Sequence, residues 1–146
     1  MKYPSIYEDR LVAWFDLRNS SLNDQEFLIE VNDFWQFAPE VKPTFDWRET
    51  QNWPDPWDLI REDDQSDLAR ALGIVYTIIL SDRKHLVEAT TLSLCSDTAV
   101  LETNLVIVEQ GKYVLNWAPR DIVNINLLQL SVIRSISAVE FVSKIR

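Results

Sequence analysis

A chain of 146 residues with a formal charge of −9 is the size of one domain with a real core, and its excess of acids excludes a phosphate backbone as its natural partner. Hydrophobic residues at 47% and six tryptophans exclude a disordered chain. The lone cysteine, Cys95, excludes an internal disulfide, and the longest apolar stretch, Leu72 to Leu80, is too short to cross a bilayer.

The beginning, Met1 to Pro4, lacks the apolar core of a signal peptide. These features lead to the expectation of one soluble, cytoplasmic domain over residues 1–146, with no nucleic-acid or membrane partner. Ser5 to Arg18 reads as a first helix. Ser21 or Asn23 caps a second, in which Phe27, Leu28, Val31, Phe34 and Trp35 recur at helical spacing. The stretch from Ala38 to Pro43 ends it, because two prolines remove donors and bias their predecessors away from the helix. Trp53-Pro54-Asp55-Pro56-Trp57 reads as a rigid turn. Pro56 then opens a short helix, Trp57 to Arg61, with Asp55 as its cap.

The strongest helical signal is Gln65 to Leu80, where Leu68, Ala69, Leu72, Val75, Tyr76 and Ile79 form one broad apolar stripe. Asp63 and Asp64 are expected to cap its start. The texture then turns to β, with strands over Leu86 to Cys95, Val100 to Val108 and Tyr113 to Trp117. A three-residue loop, Glu109-Gln110-Gly111, sets Val108 opposite Lys112 and Asn104 opposite Asn116. That register puts Asn104, Val106, Val108, Val114 and Asn116 on one face, and Leu105, Ile107, Tyr113, Leu115 and Trp117 on the other. Both faces are mostly apolar, so the hairpin should be covered on both sides. A helix near Leu127 to Arg134 and a strand from Ile136 to Ile145 complete the expectation. The fold class is α+β: N-terminal helices and one central helix, about residues 65–80, packed on an antiparallel sheet.

Charge is uneven along the chain. Asp46, Glu49, Asp55, Asp58, Glu62, Asp63, Asp64 and Asp67 face only Arg48 and Arg61 as bases in that stretch. A protein partner with a basic surface is the electrostatic match. Its candidate contacts are Trp53, Asp55, Trp57, Asp58, Glu62 and Asp63. The acids lack the ligand spacing and turn glycine of a calcium loop, so no metal and no cofactor are expected. Cys95 and His85, on a single strand, would stand about 33 Å apart at ~3.3 Å per residue, too far for a thiol–imidazole pair. Paired carboxylates for glycoside hydrolysis depend on tertiary distance and stay open as an alternative.

The order of central helix, strand and hairpin strand resembles the core of the transglutaminase-like cysteine-enzyme superfamily. Its members carry Cys at the start of the helix in a pattern like C-x-D-[YF]-A, His opening a strand, and Asp near the end of the next. The matching stretches are Gln65-Ser66-Asp67-Leu68-Ala69, Asn104-Leu105-Val106-Ile107-Val108 and Tyr113-Val114-Leu115-Asn116. They lie within residues 53–120, with separations of 38 from Ser66 to Asn104 and 12 from Asn104 to Asn116. The resemblance implies a cysteine position filled by Ser66 (or Gln65, on a slip of one), a histidine position filled by Asn104 and an aspartate position filled by Asn116. A serine there needs a base, and asparagine supplies none. The expected reading is a degenerate scaffold acting as a non-catalytic interaction or structural module, with Ser66, Asn104 and Asn116 hydrogen-bonded to one another. The alternative is a hydrolase or acyl transferase built around Ser66. The short, Trp-rich texture is also similar to small uncharacterised proteins of tailed phages infecting cyanobacteria, which implies a virion or assembly role.

Overall fold

The computed structural model describes residues 3–97, 101–118 and 121–145. Five α-helices are described: α1 (Tyr7–Arg18), α2 (Asp24–Gln36), α3 (Pro56–Arg61), α4 (Asp67–Leu80) and α5 (Lys84–Glu88). Five strands, β1 (Thr90–Asp97), β2 (Glu102–Val108), β3 (Tyr113–Ala118), β4 (Asp121–Val123) and β5 (Leu130–Ser137), form one antiparallel sheet in the order β4-β3-β2-β1-β5. The class is therefore α+β, as the sequence indicates. Val100, the expected first residue of the second strand, lies outside the described residues, as do Met1, Lys2, Arg120 and Arg146. No described helix is long and apolar enough to cross a membrane.

Helix α4 is apolar nearly all round, and Leu68 through Ile78 is buried except at Arg70. It packs on β1, β2 and β3 and against α1, α2 and α3, so it sits between the sheet and the other helices. Two of its small residues permit this. Gly73 has no room for a Cβ against the Trp35 ring. The Thr77 hydroxyl accepts from Trp14 Nε1 at 2.8 Å and Trp35 Nε1 at 2.9 Å, and donates to the Gly73 carbonyl at 2.7 Å. Two large indoles are thereby buried with their polar atoms satisfied.

Arg10 joins the N-terminal segment to α3. Its side chain is 0% exposed, and the guanidinium donates to the carbonyls of Pro4, Ile60 and Arg61 and to Asp63 Oδ1 at 2.9–3.1 Å. A buried guanidinium is tolerable only when its donors are met in this way. Asp55 caps α3, accepting from Asp58 N at 2.8 Å, with Pro56 in the first turn as expected. The Trp-Pro turn is anchored from below: Tyr76 Oη donates to the Pro54 carbonyl at 2.6 Å.

The structure corrects the sequence reading in four places. The cap of α4 is Ser66, accepting from Ala69 N at 3.2 Å, and not Asp63 or Asp64. Gln65 N donates to the Pro39 carbonyl at 2.8 Å in a parallel bridge between Glu40 and Gln65, and Asp63 and Asp64 form the bend before it. The strand expected from Leu86 starts at Thr90, because α5 comes first, closed by the Thr90 hydroxyl donating to the Leu86 carbonyl at 2.6 Å.

The hairpin is one residue out of the expected register. Val108 pairs with Tyr113, Ile107 with Val114 and Val106 with Leu115. Glu109, Gln110 and Gly111 all have positive φ (53°, 59° and 102°), and Lys112 joins the turn through its N–H to the Glu109 carbonyl at 3.2 Å. Leu115 therefore joins Val106 and Val108 in the main core, while Val114 joins Leu105 and Cys95 on the other face. That second face is covered by Val123, Ile125, Leu128 and Leu130, and Ile125 rests where a Cβ on Gly111 would stand.

The tail is the reverse of expectation: the strand is β5 and the helix follows, a 3₁₀ helix over Ala138–Lys144. The β-branched Val132, Ile133 and Ile136 suit a strand, and the buried Ala138 and Phe141 recur at the three-residue pitch of a 3₁₀ helix.

The indole pair on Thr77 gives a direct test of the helical layer. Thr77→Val keeps the shape and orphans two buried N–H donors, each worth about 1–3 kcal/mol. Denaturant unfolding should show that loss with an unchanged m-value.

Candidate functional site

The N-terminus of α4 meets β2 and β3 at Asp67, and a polar network is built there inside an otherwise apolar region. Asp67 Oδ2 accepts from Asn104 N at 2.8 Å and from Asn104 Nδ2 at 3.0 Å. Asp67 Oδ1 accepts from Asn116 Nδ2 at 3.1 Å, and the same amide reaches the Asn104 carbonyl at 2.8 Å and the Asp67 carbonyl at 3.2 Å. One carboxylate thus clamps the helix to both strands.

The orientation of each amide is forced by its neighbours. Trp47 Nε1, which only donates, reaches Asn104 Oδ1 at 2.7 Å, so Asn104 must turn its NH₂ to the carboxylate. Gln36 Nε2 donates to Asn116 Oδ1, which turns the Asn116 NH₂ the same way. Behind them, Asn116 N donates to Asn32 Oδ1 at 2.8 Å, and Asn32 Nδ2 donates to the Asp121 carbonyl at 3.2 Å. Arg134 supports Trp47 from outside, donating to its carbonyl at 2.7 Å with the guanidinium 5.2 Å over the ring.

Asn116 reaches this network through its backbone. Leu115 points into the main core, so a regular strand would send Asn116 to the opposite face. Its φ is 67°, and the β3–β4 register slips between Val114 and Ala118, the stretch that contains it. Asparagine tolerates the left-handed conformation better than most residues. The slip in the hairpin and this kink offset each other, and Asn104 and Asn116 meet on one side as expected.

Ser66 does not join them. Its hydroxyl caps α4, and the side chain is only 2% exposed. Asp67, one residue on, takes the bridging role expected of Ser66. Gln65 is also internal, with Nε2 donating to Tyr3 Oη at 2.9 Å and to the Leu59 carbonyl at 2.7 Å. Sequence reading missed Asn32, Gln36, Trp47, Asp67 and Arg134 as members of this site. Asp67 alone carried a signal, as the acid of the matched motif.

Cys95 and His85 belong to different surroundings. Cys95 is buried with Leu105 and Val114, and burial pushes its thiol pKa up, which disfavours the thiolate. His85 Nε2 lies 2.6 Å from Asp24 Oδ2, and Arg83 reaches Asp24 Oδ1 at 2.9 Å. Slight burial raises the Asp24 carboxyl, but the bonds from His85 and Arg83 outweigh it and hold the group below its usual range.

Of the expected partner contacts, Trp53 is not at the surface. It is 3% exposed, stacks on Phe141 and donates from Nε1 to the Asp46 carbonyl at 2.6 Å. Asp55 is engaged as a helix cap, whereas Trp57 is exposed. Asp58, Glu62 and Asp63 line a cleft of about 670 Å³ together with Asp64, Ser66, Val41 and Phe45. A second cavity of about 420 Å³ shares Thr44, Phe45 and Asn52 with it and adds Asp46 and Glu49. All four carboxylates of the larger cleft come from residues 58–64, and the segments 41–45 and 52–54 add none.

No protein-family model matches the sequence. A search of curated proteins returns no match either. Among solved structures, Legionella pneumophila LapG matches with a TM-score of 0.70 at 13% identity over 89% of this chain and 75% of its own. EGTA-treated LapG gives 0.71 at 13% identity, over 90% and 74%. Calcium-bound LapG gives 0.70 at 13% identity, over 89% and 75%. The likeness shows that this chain shares the fold of LapG, and it extends well beyond the stretch 53–120 that carries the resemblance in sequence.

Asn116 separates backbone from side-chain effects. Asn116→Gly and Asn116→Ala both lose the amide, but only alanine strains the left-handed backbone. Alanine should be less stable than glycine by about 1–2 kcal/mol in denaturant unfolding. Cys95 should resist iodoacetamide at neutral pH in the native protein and react fully once unfolded, read by intact mass.

Proposed function

We propose that this chain is a non-catalytic protein-interaction or structural module that keeps the scaffold of a transglutaminase-like cysteine protease. The observation that carries this reading is the use made of the three positions that the resemblance assigns to catalysis. The Asn104 and Asn116 amides are engaged with Asp67, and neither can take up or release a proton near neutral pH. The Ser66 hydroxyl is engaged as a helix cap, with no base bonded to it. LapG has been solved with calcium. Among the described residues here, no three His, Cys, Asp or Glu side chains converge to hold a metal ion.

The working surface in this reading is the groove beside α3 and the start of α4. Its carboxylates suit a basic segment of a partner protein, with Phe45, Pro54 and Leu59 giving it apolar contact. A phage particle or its assembly is the setting that the sequence texture supports. The competing reading is acyl transfer at Ser66, favoured by the place of that side chain in the wall of the same cleft.

Binding of the partner captured from the native source should be unchanged by Ser66→Ala. It should weaken about tenfold on Glu62→Lys with Asp64→Lys, and weaken with salt as the Debye length falls from about 10 Å to 3 Å between 0.1 and 1 M. Loss of function in Ser66→Ala with the fold intact would revive acyl transfer.

A further inference from the structure

A second surface lies where α1 meets α3. Phe15 and Trp57 are 57% and 42% exposed, large aromatics on the outside of a chain whose other tryptophans are mostly internal. Val12, one turn before Phe15 and on the same side of α1, is exposed as well. The Arg18 guanidinium binds these rings into one patch. It lies 5.5 Å from the centroids of both Phe15 and Trp57, and 4.3 Å over Trp14. Trp14 and Trp57 themselves meet edge to face at 5.4 Å.

Arg18 lacks what the other half-buried or buried arginines have. Arg10 is matched to Asp63, Arg70 to Glu40 and Arg83 to Asp24. Among the described residues no carboxylate pairs with Arg18, and its Nε is enclosed without a hydrogen-bond partner. Arg18 as a whole is half-buried, so part of its side chain faces solvent. Ring faces attract a cation but do not accept its N–H groups as a carboxylate does. Burial also lowers the pKa of this guanidinium, as expected for a cation partly removed from water without a counter-charge.

We infer that this patch docks a segment of a partner protein that presents one carboxylate among apolar side chains, the carboxylate pairing with Arg18 and the apolar groups covering Phe15, Trp57 and Val12. Exposed aromatics around an arginine are the composition of interface hot spots. The charge of −9 repels a run of acids at long range, so the match is local, one carboxylate in an apolar setting. The inference rests on the reading of the chain as an interaction module, but on a surface separate from the acidic groove.

The test uses the full chain, immobilised, with a random dodecapeptide library displayed on phage as the probe. Enriched peptides should share an Asp or Glu flanked by apolar residues. A synthetic copy of the best one should bind about tenfold more tightly than its Gln or Asn counterpart, measured by fluorescence anisotropy. Arg18→Gln and Phe15→Ala should each weaken it about tenfold, and Glu62→Lys with Asp64→Lys should leave it unchanged. Phe15→Ala removes an exposed side chain and keeps the variant set informative if Arg18→Gln unfolds, which circular dichroism checks. Basic peptides that ignore Phe15→Ala and fail on Glu62→Lys with Asp64→Lys would overturn this inference and leave the groove standing. Absence of any enrichment would overturn it too.

Discussion

A single carboxylate holds the centre of this molecule together. Asp67 stands at the start of α4 and accepts from two asparagines on neighbouring strands, one through its backbone as well as its side chain. The helix cannot slide along the sheet without breaking those partly buried bonds. The same bonds define the chemistry available. A thiolate, an imidazole and a carboxylate would move protons among themselves, whereas two amides and a carboxylate in this arrangement only hold position.

The surrounding scaffold follows the same logic of satisfying each polar group where it is buried. Thr77 receives both indoles that pack on α4, so the helical layer tolerates Trp14 and Trp35 side by side. Arg10 collects carbonyls from the N-terminal segment and the end of α3, which places the acidic residues 62–64 at the rim of the groove. Against that background, the guanidinium of Arg18 stands out because nothing of the kind completes it. Arg10 and Thr77 find their partners within the chain, whereas Arg18 has no carboxylate among the described residues.

What could be read from the sequence divides along the range of the interactions. Helix α4 was legible because its apolar positions recur on a helical period, and α3 because Asp55 and Pro56 form a local start signal. The register of the hairpin was not, since it depends on the left-handed run at Glu109, Gln110 and Gly111, and only glycine announces that conformation in sequence. The tail misled because a run of leucines before Val132 reads as helical until the edge of β1 is there to pair with it. The meeting of Asn104 and Asn116 was anticipated from a register that proved wrong, and it survives through the kink at Asn116. Asp67 was visible as one acid among many, and its bridging role needs contacts 37 and 49 residues away along the chain. Ser66 was assigned to the site by motif, yet its hydroxyl serves the helix end.

Labelling with a fluorophosphonate ester tests the central claim most directly, because such esters phosphonylate serines that have been activated by a base. The folded protein should take up no adduct at Ser66, judged by intact mass and peptide mapping. A single stoichiometric adduct on Ser66, lost when the protein is denatured before labelling, would mean that a proton acceptor serves that hydroxyl and that the scaffold has kept its chemistry.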